Sequence, residues 1–244
     1  MGRTKRRVRR ILTLTVISFA IVATIAACGD DDGDSTATPA DDQLSTMLPA
    51  IEALVVQQAE HMRNAIDLGD LETDEAGLQE ILPGMVLQFE DLPEGMQPLG
   101  GSFSTNAESA SGLGAGPTEA QLDEWGRILG FAADYQRTEP ADGANLTAIN
   151  TSVSVYATPE GSKASFENRI PLALEADWQV SHPELEEFEQ EFLSPDLPVD
   201  DLFWVHLTGY QPIGPDERVL VSDDQIVFLV GETWGFIGAV STIP

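Results

Sequence analysis

The first block of hydrophobic residues differs in pattern from everything that follows it. Residues 11–27 form a run of 17 residues without a charge, whereas apolar positions beyond residue 43 recur at helix or strand spacing. Between residues 44 and 68 they recur every three or four positions, which predicts an amphipathic helix. We expect this helix to begin near Pro49, because proline suits a first helical turn. The folded part of the chain therefore opens with a helical segment.

Capping residues and alternation predict the elements that follow this first helix. Thr73 and Thr118 each precede a short helical pattern and are expected to cap it. The predictions are helices over 74–82 and 118–125, a strand over 85–93, and an extended stretch over 96–108.

The second half of the chain predicts a sheet. Period-two alternation predicts five strands, over 127–138, 146–158, 200–210, 217–222 and 225–234. Asp223-Asp224 indicates a tight turn between the last two. Two helices are expected between the second and third strands, over 159–177 and over the very acidic segment 182–193. This order predicts an α+β fold with a mainly antiparallel sheet and helices packed on one face, in a single domain over 44–244.

The N-terminal segment has the features of a lipoprotein signal. Six basic residues precede the apolar run, which ends at the sequence Ile25-Ala26-Ala27-Cys28. A charged head and an apolar region are typical of a secretory signal, and the last four residues resemble the bacterial lipobox. The resemblance implies cleavage before Cys28 and attachment of a diacylglyceryl group to its sulfur, with acyl chains such as palmitate. Cys28 is the predicted lipidation site, and residues 1–27 are the predicted signal peptide.

The residues after Cys28 predict a tether and a location. Residues 28–43 hold a run of aspartates and no large apolar side chain, which is typical of a disordered spacer. The acyl chains would hold Cys28 in the bilayer. We therefore expect the folded part to lie on the extracytoplasmic side of the cell membrane; the sequence does not distinguish an inner from an outer membrane.

The charge of the chain excludes one class of partner. After Cys28 there are 6 basic residues against 41 acidic ones, a balance of −35. Nucleic acid needs lysines and arginines that displace counterions from phosphates, so no nucleic-acid binding is expected. A cationic ligand or another envelope protein is the expected partner. The sequence predicts no oligomeric state.

Candidate catalytic residues do not form a recognisable motif. His61, His182 and His206 lack the spacing of a metal pair, and Lys163 is expected to be solvated. Three tryptophans are candidates for a ligand pocket or for the core, namely Trp178, Trp204 and Trp234. Five glutamates of the acidic segment are expected on the solvent side of its helix: Glu184, Glu186, Glu187, Glu189 and Glu191. The sequence predicts no catalytic, cofactor or metal site.

Part of the folded segment resembles a known class of domain. The order SVSVYATPEGSKASFENRI, DDLFWVHL and a terminal hairpin is similar to bacterial cell-envelope lipoprotein and sensor domains over about 100 residues. The resemblance implies a fold like that of the photosystem II extrinsic P subunit. Two functions remain open at this point. The first is a noncatalytic binding or sensing module, and the alternative is a cell-envelope hydrolase with a carboxylate pair.

Overall fold

Seven strands dominate the computed structural model, which describes residues 40–67, 75–111, 116–138, 145–215 and 217–243. In chain order the strands are β1 (Met96–Ser104), β2 (Arg127–Arg137), β3 (Asn145–Tyr156), β4 (Glu186–Leu193), β5 (Asp201–Pro212), β6 (Arg218–Val230) and β7 (Thr233–Ile243). They form one sheet of order β1-β2-β3-β7-β6-β5-β4, and every neighbouring pair is antiparallel. The predicted fold class, α+β with an antiparallel sheet behind an N-terminal helix, is confirmed.

Helices occupy the segments before, between and beside these strands. They are α1 (Ala40–Asp67), α2 (Glu75–Ile81), α3 (Asn106–Ala110), α4 (Glu119–Glu124), α5 (Pro159–Glu175) and α6 (Trp178–Ser181), with two short 3₁₀ turns at Leu82–Gly84 and Phe89–Asp91. Thr118 caps α4 as predicted, because its side chain accepts a hydrogen bond from the Gln121 amide. Thr73 lies outside the described residues. No helix in the described part of the chain is both long and apolar enough to span a membrane.

The first face of the sheet carries the larger core. Apolar side chains of α1, including Ile51, Val55 and Met62, pack with Ile226 and Ile237 of the sheet, and all five are fully buried. Burial of this many aliphatic side chains is the main source of stability for such a layer.

A buried polar contact sets the position of α1 on that face. Gln58 donates from Nε2 to the Ser152 carbonyl at 2.9 Å and accepts from the Thr151 hydroxyl at 2.7 Å. These contacts satisfy a buried amide that would otherwise be costly.

The second face, on the opposite side, packs against α5. Phe166 of α5 is buried with Tyr156, Leu229 and Trp234. In β6, Leu229 alternates with Phe228, which belongs to the first core, because successive side chains of a strand point to opposite faces. The helices α1 and α5 therefore lie on different faces of the sheet, which corrects the prediction that the helices pack on one face.

Two helix and strand predictions in the first half are corrected. The first helix begins at Ala40 and contains Pro49, so this proline is not at its start. The predicted strand over 85–93 contains a 3₁₀ turn, and Met85, Val86 and Leu87 are buried one after another. The alternation of apolar and polar residues there predicts a strand. In the structure, however, consecutive side chains are buried and cover the end of the first core, so the segment does not have the two-sided pattern of a strand.

The predicted acidic helix over 182–193 is wrong. Glu186–Leu193 forms β4, an edge strand paired with β5. Phe188 and Phe192 lie four residues apart on one side, with glutamates between them on the other, which is the period-two pattern of a strand. The exposed glutamates on this edge disfavour pairing with a strand of another molecule.

The predicted turn at Asp223-Asp224 is also wrong. Both aspartates lie in the middle of β6, which runs without interruption from Arg218 to Val230. The chain turns eight residues later, where Gly231 adopts φ 57° between β6 and β7. A left-handed conformation of this kind favours glycine, since it has no Cβ.

Candidate functional site

A cleft of about 730 Å³ lies between α5 and the second face of the sheet. We call it the α5 cleft. Its walls come from α5, α6, β5, β6, β7 and the segment before α4. The lining residues are Gly116, Pro117, Phe166, Arg169, Ile170, Leu172, Ala173, Glu175, Ala176, Trp178, Phe203, Val205, Gln225, Val227 and Phe236. Most of these are apolar, and Arg169, Glu175 and Gln225 contribute polar groups.

Local sequence places α5 over the sheet. The Thr158 side chain accepts a hydrogen bond from the Gly161 amide, and Pro159 occupies the first turn, so the helix start is capped. Ser162 donates to the Gly231 carbonyl at 2.9 Å, and Tyr156 donates to the Ser165 hydroxyl at 2.7 Å. The N-terminal half of α5 is thus held on the sheet, while its C-terminal half borders the cleft.

Arg169 is the cationic group of the cleft. Its guanidinium carbon lies 4.6 Å from the centre of the Trp234 ring, a cation–π arrangement. Its Nε is buried and has no hydrogen-bond partner among the described residues. Burial lowers the pKa of Arg169, and the nearby Tyr156 opposes this effect.

Arg127 is a second buried arginine on the same face. Its guanidinium donates to the Ser154 hydroxyl, the Asn106 side chain, and the carbonyl and hydroxyl of Ser104, at 2.9–3.2 Å. Burial lowers the pKa of Arg127, Tyr156 opposes this effect, and Arg169 lowers the pKa further. Arg127 is held entirely by neutral partners.

The three candidate tryptophans have different positions. Trp178 lines the cleft and donates its indole N–H to the Ala173 carbonyl at 2.9 Å. Trp234 lies beneath Arg169 and donates to the Tyr156 hydroxyl. Trp204 lies in the core of the first face, away from the cleft. The interpretation of tryptophans as pocket residues holds for Trp178.

Each of the three histidines contacts a carboxylate in a different part of the fold. His61 Nε2 lies 2.8 Å from Asp91, His206 Nδ1 lies 2.7 Å from Asp224, and His182 lies 3.6 Å from Asp223 and 3.7 Å from Glu184. Across the segments that the structure describes, no group of three or more histidine, cysteine or acidic residues is placed to hold a metal ion.

The buried acids Asp223 and Asp224 point away from each other. Asp224 lies on the first face, where its Oδ1 accepts from the indole N–H of Trp204 at 2.7 Å. Asp223 lies on the second face, where Gln225 donates to it. Because the strand separates them, these two carboxylates cannot flank one bond as a glycosidase pair does.

We predict that Asp223→Asn stabilises the protein at neutral pH. Burial raises the pKa of Asp223 above its ordinary value of 3.8, with opposing effects from Gln225 and His182 and reinforcing effects from Asp224 and Glu184. A raised pKa in the folded state means that ionisation of Asp223 destabilises the fold. This destabilisation is absent below the pKa that Asp223 has in the unfolded chain, and it reaches its full size above the pKa that Asp223 has in the folded protein. Urea unfolding should therefore show a more stable variant at neutral pH and no difference below about pH 3.8.

Glu184→Gln is the matched control for that comparison. This variant removes a neighbouring charge from a half-exposed side chain, so we expect a smaller gain at neutral pH. A gain for Asp223→Asn that persists unchanged in acid would contradict the ionisation argument.

Other predicted surface residues are exposed as expected, Lys163 in the predicted helix and the glutamates of the acidic segment in a different element from the one predicted. Lys163 is solvated on α5 and lies 3.9 Å from Glu167. Glu187 lies on β4 rather than on a helix, and it accepts from Arg218 at 2.7 Å. Cys28 and its lipobox lie outside the described residues, so lipidation remains a prediction.

Sequence reasoning did not identify Arg169 as a site residue. The signal was available in principle, since Arg169 is one of six basic residues after Cys28 and lies in a helix beside Phe166 and Ile170. The sheet residues that complete the cleft are distant in sequence, and the misplaced turn in β6 concealed the face to which Val227 belongs.

Comparisons with known proteins add a weak structural likeness. No family model matches the chain, and no curated protein matches it. The extracellular domain of PknH from Mycobacterium tuberculosis is similar at a TM-score of 0.36 and 9% identity, over 66% of this chain and 85% of that one. A TM-score at this level bears on neither function nor ligand. The resemblance to cell-envelope domains therefore stays a prediction.

Proposed function

We propose that this protein is a noncatalytic binding module, tethered by lipid at Cys28 to the extracytoplasmic side of the membrane, whose ligand occupies the α5 cleft. The cleft is the observation that carries the proposal. Its volume of about 730 Å³ lies within the range of roughly 300–1,000 Å³ that small-molecule sites occupy. Mostly apolar walls with a few polar groups are also typical of such sites.

The anchor and the cleft support one functional arrangement. The lipobox and the acidic spacer favour a body held near the membrane but outside it. Net negative charge on the exterior would attract a cationic envelope partner, and this part of the proposal concerns the outer surface rather than the cleft.

Filling the cleft tests the proposal. Val227 is half-buried on the cleft floor, and Val227→Trp places a large side chain where the ligand would lie. The full-length protein is purified from its own membrane, and the small molecules that it retains are identified by mass spectrometry after denaturation. We expect the species retained by the wild type to fall by about 10-fold or more in Val227→Trp, because the bulky side chain excludes them from the cleft.

Val180→Trp is the matched control for that measurement. Val180 lies on α6 and is 72% exposed, so the same substitution there adds a tryptophan without filling the cleft. Equal retention by wild type, Val180→Trp and Val227→Trp would show that the ligand site lies elsewhere.

A further inference from the structure

Arg169 lacks an acidic partner in a protein with a large excess of acids. Lys163 and Arg218 each pair with a glutamate, at 3.9 and 2.7 Å. Among the described residues no carboxylate pairs with Arg169, and its buried Nε makes no hydrogen bond. Leaving a buried donor unpaired is costly, and such groups in native proteins call for an explanation. An acceptor that a ligand brings to this guanidinium would supply the partner that the described residues do not.

The surroundings of Arg169 favour a negatively charged acceptor. The indole of Trp234 lies against the guanidinium, and a second arginine, Arg127, is buried on the same face of the sheet among neutral partners. A guanidinium pairs well with a carboxylate or phosphate because its N–H groups match two acceptor oxygens. A cationic ligand head would be repelled at this position.

The rest of the α5 cleft favours an apolar chain. Beside Arg169 the walls come from Phe166 and Ile170 of the helix, and from Phe203, Val227 and Phe236 of the sheet. These side chains offer a continuous hydrocarbon and aromatic surface with one cationic group at its border. Glu175 also lines the cleft, but it is exposed and therefore lies at the opening.

We propose that the α5 cleft binds an anionic amphiphile, whose apolar chain lies along the aromatic floor and whose carboxylate or phosphate head pairs with Arg169. The inference rests on the proposed function, since it requires that the cleft be the ligand site. The net negative charge of the exterior does not prevent binding. Exposed charges farther than about 8–10 Å are screened at physiological salt, whereas a pair inside the cleft is not.

Photolabelling of the full-length protein in nanodiscs of neutral phosphatidylcholine tests this inference. The probe is a 16-carbon fatty acid with a diazirine in its chain, and labelled peptides are mapped by mass spectrometry. Competitors with the same chain length and different heads are palmitate, palmitoyl lysophosphatidic acid, hexadecanol and hexadecylamine. We expect label on α5 and on β5–β7, with an anionic competitor about 10-fold or more effective than hexadecanol and hexadecylamine the weakest. The stronger of the two anionic competitors then identifies a carboxylate or a phosphate head.

Variants assign the head group to Arg169. In Arg169→Gln the advantage of the anionic competitors over hexadecanol should disappear, while Arg169→Lys retains part of it because the charge remains without the planar fork. Lys163→Gln removes the same charge from the same helix at an exposed position and should behave like the wild type. Near-ultraviolet circular dichroism confirms that each variant is folded, and Arg169→Lys decides the question if Arg169→Gln does not fold.

The labelling results distinguish a failure of the anionic-head inference from a failure of the proposed ligand site. The anionic head would be overturned if palmitate, palmitoyl lysophosphatidic acid and hexadecanol competed equally, both in the wild type and in Arg169→Gln. If labelling were then lost in Val227→Trp, the cleft would remain a ligand site. Strongest competition by hexadecylamine would also overturn the anionic head. Cleft labelling that persists unchanged in Val227→Trp would overturn the proposed function itself.

Discussion

Replacing Cys28 by serine is expected to abolish lipid attachment and to leave the leader uncut. Cys28 is the sole cysteine of the chain, so no other thiol can form the thioether that the lipobox implies. The expected change is all or none, because the predicted lipidation precedes the predicted cleavage. Metabolic labelling with an alkyne analogue of palmitate, followed by the mass of the purified protein, measures both events.

The spacer provides the control for the Cys28 experiment. Ser35→Cys in the Cys28→Ser background restores one thiol seven positions later, without the apolar and small residues that precede Cys28. This double variant should remain unlabelled, since the box and not the thiol is recognised. Labelled and cleaved Cys28→Ser protein would remove the basis for the membrane tether, while the α5 cleft would be unaffected.

Helical and strand patterns predicted most of the architecture because burial on one face imposes a period on the sequence. The strands β2, β3 and β5 and the helices α4 and α5 lie within a few residues of their predicted positions. Most have alternating or helical apolar positions, and α4 also has a clear boundary signal in the cap at Thr118.

The errors in the prediction arose where local preference and tertiary environment disagree. Glutamate favours helices, which is why the sequence predicts a helix over 182–193, yet Phe188 and Phe192 bring Glu186–Leu193 to the edge of the sheet as a strand. Aspartates are rare inside strands, so Asp223-Asp224 was predicted as a turn. Neither residue is followed by the glycine that a tight turn of this kind favours. Partners across the sheet, which no local pattern reveals, make this pair tolerable.

The candidate site was less predictable than the fold. The cleft needs α5 and strands β5, β6 and β7 to meet, and its floor depends on which residues of β6 face α5. A predicted turn in the middle of β6 separates Gln225 and Val227 from the residues before the turn. The position of Arg169 in a helix was predictable, but its lack of an acidic partner depends on the three-dimensional arrangement.

Asp224→Ala is expected to destabilise the protein by about 1–3 kcal/mol, the range for leaving a buried polar group without its partner. Asp224 is fully buried, and its Oδ1 lies 2.7 Å from both Trp204 Nε1 and His206 Nδ1. Alanine removes the acceptor of the buried Trp204 indole N–H and of the partly buried His206 ring. It also removes Oδ2 of Asp224, which is buried without a hydrogen-bond partner among the described residues, and this partly offsets the loss. Urea unfolding followed by tryptophan fluorescence measures the loss.

A double-mutant cycle isolates the free-energy cost of leaving the Trp204 indole N–H without an acceptor. Trp204→Phe removes the indole N–H and keeps an aromatic ring in the core, so it should cost about 1–2 kcal/mol. The double variant should be more stable than additivity predicts, because no indole donor is left unpaired. Asp224→Asn keeps an acceptor oxygen and should cost less than Asp224→Ala. Strict additivity, or a loss below about 1 kcal/mol for Asp224→Ala, would contradict this account.

The same network bears on ligand binding because the strands that carry it also carry the cleft floor. Trp204 of β5 and Asp224 of β6 lie on the first face. Their sequence neighbours Phe203, Val205 and Gln225 point to the cleft side, because successive side chains of a strand alternate between faces. Contacts of Asp224 with Trp204 and His206 therefore favour the register in which β5 and β6 present those cleft residues to α5. We expect Asp224→Ala protein that remains folded to retain less ligand than Asp224→Asn, although neither substitution touches the cleft. Equal retention by the two folded variants would separate the stability of the first face from binding on the second.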